Sequence, residues 1–260
     1  MIRPALPWLL LPLLAGCAPA LYQPPAISAA EQQAVLAEIG QGQAPVRREL
    51  GDAESRLAIA RVARRLAPAG SAVCQELGRS CQWRFIYDPS RELNAAATGE
   101  GDIVVQRGVA EYARTDGELA FVIAHEMAHH AANHVQSTTQ RAQLGAALGG
   151  ILASLAGAYA GVATDGLAQG AAGIGSQLAV ISYSKAQERE ADALGAAILR
   201  RAGYDVAEAR SMLLAMARLS GRSETGLLST HPAGPERIAS FDAAIAGMQA
   251  AGWRVGAARP

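Results

Sequence analysis

Apolar residues recur along most of this chain every three or four positions, the spacing of helices that bury one face. Ser28 to Ile39 and Asp52 to Leu66 both show it; Asp52 opens the second, and Pro68 is expected to stop it. The period then changes. Trp83, Phe85 and Tyr87 alternate with Arg84 and Ile86, as on a half-buried strand. Asn94 to Thr98 and Ile103 to Gln106 flank Gly99-Glu100-Gly101-Asp102, which predicts a β-hairpin. Thr115, with Glu118 three residues on, has capping-box spacing and opens the apolar run Leu119, Val122, Ile123; that helix is expected to continue through His134. Two more helices are predicted, Asp205 to Leu219 and one beginning at Pro235. Between Ala142 and Ser184 the only charge is Asp165, in a stretch rich in Gly and Ala. Small residues suit close helix contacts, so helices packed within the domain or over its cleft are expected there rather than a membrane hairpin. The fold class is thus α+β, mostly helical with a small antiparallel sheet, and 28–260 form one domain.

Charge excludes one class of partner. The 23 basic and 23 acidic residues cancel, which gives no electrostatic reason to expect nucleic acid. The first residues are more informative. Arg3 precedes an apolar run from Ala5 to Ala15, too short and too broken by Pro7 and Pro12 for a membrane span. It ends in Leu14-Ala15-Gly16-Cys17, which resembles the bacterial lipobox. The resemblance implies a signal peptide over 1–16, lipid on Cys17 and a Pro-rich tether over 17–27. Ala18 after the Cys implies outer-membrane sorting, so the expected location is the periplasm, lipid-anchored. With Cys17 accounted for, Cys74 and Cys81 remain of the three cysteines, and in an oxidising compartment they are expected to pair.

The chemistry lies in His125-Glu126-Met127-Ala128-His129. On a helix the two histidines fall on one face, one turn apart, where two imidazoles can share a zinc ion. Glu126 lies about 100° round the helix, able to reach a water on the metal as a general base. His130 and His134 would point elsewhere on the same helix, with His134 left to a supporting or surface role. A third ligand is required, and the carboxylates of Glu188, Glu190 and Asp192 are the candidates; Glu188 and Asp192 share a face.

These residues resemble peptidase family M48, the metallopeptidases that include the CAAX prenyl protease and mitochondrial and bacterial quality-control proteases. Asn94-Ala95 with Gly101 to Val105, Glu118 to Ala124 before the His-Glu pair, Glu188-x-x-Ala191-Asp192, and His231-Pro232 with Arg237 six residues on carry the likeness. It implies a gluzincin-type zincin fold whose edge strand lies by the metal helix. One zinc would be held by His125, His129 and Glu188, with Asp192 orienting a ligand. Asn94, Ala95 and Ala96 would bind substrate backbone, and Glu126, His231 and Arg237 would be catalytic. His231 would either donate to the developing oxyanion or hold zinc's fourth position in the resting enzyme. The implied substrates are unfolded or misassembled envelope proteins. A zinc-stabilised, chaperone-like binding lipoprotein is the alternative, but it has no use for Glu126.

Overall fold

The computed structural model describes residues 21–99, 101–144, 183–220 and 231–255. Its elements are α1 (Ala29–Gln41), α2 (Asp52–Glu76), β1 (Arg84–Asp88), β2 (Ala95–Thr98), β3 (Asp102–Gln106), α3 (Arg107–Tyr112), α4 (Asp116–Ala131), α5 (Lys185–Arg201), α6 (Val206–Leu219) and α7 (Pro235–Ala250). A further helical stretch runs over 134–144. Cys17 and nearly all of the Gly/Ala-rich 142–184 stretch lie outside the described residues. Among those described, no helix is long and apolar enough to cross a membrane.

Helix α4 is the axis of the molecule. It is buried on every side, with α2, α5 and α6 packed around it and β2 along one flank. A helix apolar all round belongs inside a core, and here Phe121 meets Phe241 of α7 while Met127 approaches Gly70 of α2. Its closest partner is α5: a Cβ added to Gly195 would stand 3.2 Å from the Cα and N of His125. That glycine lets the two backbones approach until ligands on one helix reach those on the other.

Three local expectations are corrected. Pro68 does not end α2, which continues to Glu76. An interior proline costs about 3 kcal/mol, but the buried stripe Ile59, Val62, Leu66, Ala69, Val73 runs straight through it. Burying such side chains is worth roughly 1.5–3 kcal/mol each, so packing outweighs the lost hydrogen bond. Second, α4 stops at Ala131 rather than running through His134, because Asn133 adopts φ 62°. Asn tolerates that left-handed conformation better than most residues, and the chain restarts as a helix in a new direction. Third, the sheet is mixed, in the order β1-β3-β2. The β2–β3 hairpin is antiparallel as expected, but β1 pairs with β3 in parallel. After β1 the chain turns at Asp88, whose carboxylate accepts the Ser90 amide (2.8 Å), and passes over Gly108. There any Cβ would lie 2.2 Å from the Glu92 carbonyl oxygen. This loop carries the chain past one strand position, which β3 then fills.

The N-terminus of α4 is capped as expected on one side only. Thr115 Oγ1 accepts the Glu118 amide at 3.1 Å, while Glu118 Oε2 reaches back one residue further, to the Arg114 amide. Cys74 and Cys81 form a disulfide (S–S 2.05 Å) that ties the end of α2 to the approach to β1. So short a loop contributes about 2–3 kcal/mol.

Candidate metal centre

Four buried donors converge where α4, α5 and the start of the last helix meet: His125, His129, Glu188 and His231. The helix places the first two, bringing their Nε2 atoms within 3.0 Å. Ser184 and Gln187 form a capping box that fixes the start of α5, and Glu188 follows in its first turn. Glu188 Oε2 lies 3.4 Å from His125 Nε2, and Oε1 lies 3.4 Å from His129 Nε2. His231 Nδ1 stands 3.2 Å from His125 Nε2 and 2.8 Å from Glu188 Oε1. Ligands at 2.0–2.1 Å from a tetrahedral ion are separated by roughly 3.3–3.4 Å, so the spacing suits a zinc-sized ion.

Buried polar atoms without partners point the same way. Glu126 Oε1 has no hydrogen-bond partner and faces His231 Nε2 at 3.5 Å. Glu188 Oε2 sits 2.8 Å from Arg237 Nη1 but out of line for a hydrogen bond. Two imidazoles, a carboxylate and a third imidazole form the nitrogen-and-oxygen donor set that zinc takes. The residues present fit the ion.

The surrounding charges hold the donors in place. Asp192 Oδ1 lies 3.0 Å from His125 Nδ1, one turn along α5 from Glu188. Burial works against a charged His125, but the Glu188 and Asp192 carboxylates outweigh it and push its pKa up to about 9. Burial likewise opposes the Glu188 and Asp192 carboxylates, yet Arg237 and His125 hold both below the usual range. His129 moves the other way, lowered by burial and by the neighbouring histidines. Arg237, on α7 and buried, donates to both oxygens of Asp192 at 2.7 Å and to the carbonyls of His231 and Pro232 at 3.1 and 3.3 Å. Its guanidinium holds α5 and the His231 turn together.

Beside the cluster, Glu126 Oε2 accepts the Ala97 amide at 2.9 Å, so β2 is the sheet edge next to Glu126. The Asn94 carbonyl accepts the Gln106 amide, and in an antiparallel ladder this turns Ala96 toward β3 and Ala95 and Ala97 outward. Of the three residues expected to meet substrate, only Ala95 therefore offers outward main-chain groups; Ala96 spends its own on Val104 and Asn94 its carbonyl on Gln106. Ala97 is the additional edge residue.

Two further neighbours line the site: Tyr183, which had no signal in the sequence, and His134, for which a supporting or surface role was expected. Tyr183 stacks on His129, ring centres 3.7 Å apart and planes 21° from parallel, and burial raises its pKa, with Glu126 and Glu188 adding to the rise. His134 is buried against the far side of His129, at 3.0 Å between Nδ1 atoms, because of the break at Asn133.

No curated protein matches the chain. The family model for Peptidase family M48 matches residues 57–245, spanning the His125–His129 pair, Glu188 and His231. A match over most of the chain, centred on this donor cluster, places the protein in peptidase family M48.

Proposed function

We propose that the protein is a zinc-dependent endopeptidase of the bacterial cell envelope that degrades misfolded or misassembled envelope proteins. The observation that carries this is the position of Glu126, between the donor cluster and the edge strand. Its Oε2 is anchored on Ala97, and its unpartnered Oε1 is turned to the cluster. Zinc held by His125, His129 and Glu188 would supply Lewis acidity and lower the pKa of water toward about 7. Glu126 Oε1 then accepts the proton of the attacking water and returns it to the leaving amine. The outward main-chain groups of Ala95 and the carbonyl of Ala97, whose amide is held by Glu126, take an extended substrate as an added strand. Main-chain pairing reads little side-chain identity, which suits unfolded chains.

His231 Nδ1, within ligand range of the other donors, would offer a fourth donor to an ion held there, a role that substrate would take over on binding. Arg237 serves by holding that turn. Lipid on Cys17 would keep the catalytic domain at the outer membrane, a reading that rests on the lipobox-like sequence.

The test is digestion of unfolded casein by the purified chain, with and without chelator. Activity should vanish with chelator and return with zinc. Glu126→Gln should keep its metal and lose turnover by about 10²–10⁴-fold; undiminished cleavage in that variant rules the mechanism out. His231→Ala is expected to raise turnover. A steep fall at full metal content would instead make His231 the oxyanion donor.

A further inference from the structure

His129 presents its two ring nitrogens to different neighbours. Nε2 faces the donor cluster, whereas Nδ1 lies 3.0 Å from Nδ1 of His134. His134 Nε2 in turn lies 3.1 Å from Glu190 Oε2. The other Glu190 oxygen, Oε1, accepts the main-chain amide of Tyr22 at 2.9 Å and that of Leu21. His134 and Glu190 are both buried, and the proposed mechanism uses neither. His125 differs, because its Nδ1 is backed directly by the Asp192 carboxylate.

With Glu190 ionised and His134 neutral, one placement of protons satisfies this row. An ionised Glu190 accepts at both oxygens, so His134 Nε2 is the donor to Oε2. A neutral His134 then has a bare Nδ1, which can only accept. His129 Nδ1 must therefore carry the proton, and the lone pair of His129 is left on Nε2, the atom inside the cluster. A metal ligand needs that lone pair, and the hydrogen bond made by its other nitrogen fixes where it lies.

We propose that the Leu21 and Tyr22 amides, Glu190 and His134 form a positioning relay that holds His129 in its metal-ready tautomer. The proposal rests on the zinc reading above and ties the residues entering the domain to a ligand at its centre. Glu190→Gln breaks the relay with almost no change of shape. The amide oxygen must still face the two main-chain N–H groups, so the NH2 turns to His134 and makes its Nε2 an acceptor. His134 then carries its proton on Nδ1, opposite His129, and the His129 proton is driven to Nε2.

The test begins with the full, unsubstituted chain, labelled with 15N in its histidine rings and stripped of metal. The relay requires a proton on His129 Nδ1 and a 15N–15N coupling across the hydrogen bond to His134 Nδ1. A proton on Nε2, or no coupling, overturns it without any variant having to fold. Zinc affinity by chelator competition is the second measurement. Glu190→Gln should bind about 10–100-fold more weakly than the parent, whereas Glu236→Gln, which alters a surface acid paired to α5, should bind as the parent does. Leu21→Pro removes one of the two amides and should show a smaller loss in the same direction. Parental affinity in Glu190→Gln overturns the relay, while a parent chain that binds no zinc refutes the metal reading and leaves the ring coupling to decide the relay.

Discussion

Two arginines in this molecule each bridge two acids on neighbouring helices. Arg237 on α7 spans Asp192 and Glu188 of α5; Arg210 on α6 spans Glu38 of α1 and Asp242 of α7. The distances are nearly the same, 2.7–2.8 Å in all four pairs. What differs is the solvent. The Arg237 side chain is 7% exposed and its two acids 4% and 1%, against 31% for Arg210 and 41% and 39% for its partners. In water an ion pair gains little beyond what hydration already supplies, so the Arg210 clamp pins α1, α6 and α7 at small net benefit. In the core the same pair replaces hydration that is gone, and losing one partner leaves a bare charge. The buried clamp exists because the site needs charged ligands there.

Substitution should separate the two clamps. Arg237→Met is expected to destabilise the metal-free protein by about 3–5 kcal/mol, read from urea melts in chelator, since the two buried carboxylates of Asp192 and Glu188 then share the single charge of His125. A loss below about 1 kcal/mol would mean that water reaches the cluster, and the contrast would fail. A smaller effect concerns pH. Asp192 and Glu188 are held below the usual carboxylate range. Their contribution is therefore complete above the unfolded values of about 3.9–4.3 and is lost as pH falls further. His125 is raised to about 9, so its contribution is complete below the unfolded value of about 6.5 and is lost as pH rises through the folded one. His129 is lowered by burial, so stability also falls as pH drops below about 6.5, and metal-stripped protein should be most stable near about pH 6.5. Arg237→Met should flatten the carboxylate part of the acid flank and move the alkaline flank upward, because Arg237 itself lowers His125. Parallel curves for parent and variant would break that link. The smallest effect belongs to Arg210→Met, about 0.2–1 kcal/mol, and salt should erase it.

How much of this was legible in the sequence depends on how local each feature is. His125, Glu126 and His129 share one helix, so their geometry follows from helical pitch alone. Glu188 and Asp192 were visible as a pair for the same reason, but their meeting with α4 depends on Gly195, a contact that no spacing announces. The run through Pro68 was misread because a local stop signal was weighed without the buried stripe beyond it. His134 was placed on the wrong side of the helix by extending a regular period past Asn133, one residue with positive φ. The central position of β3 was equally hidden, since a hairpin and a preceding strand are compatible with either order. Tyr183 carries no motif, and only folding stacks it on His129.

The close contact at Gly195 also sets when the donor cluster can be completed. In the unfolded chain His125 and His129 are the only donors near one another; Glu188 is 59 residues beyond His129, and His231 lies 43 beyond Glu188. The donor set is completed only when α5 has docked on α4 with their backbones in contact, and a backbone seated against a glycine has no looser packing that still delivers Glu188. On the proposed zinc reading, tight metal capture would be one of the last events of folding, its free energy drawn from the finished fold. If the proposed peptidase reading holds, a nascent or partly folded chain would lack the assembled ligand set and be unable to cut itself or its neighbours until the core has closed.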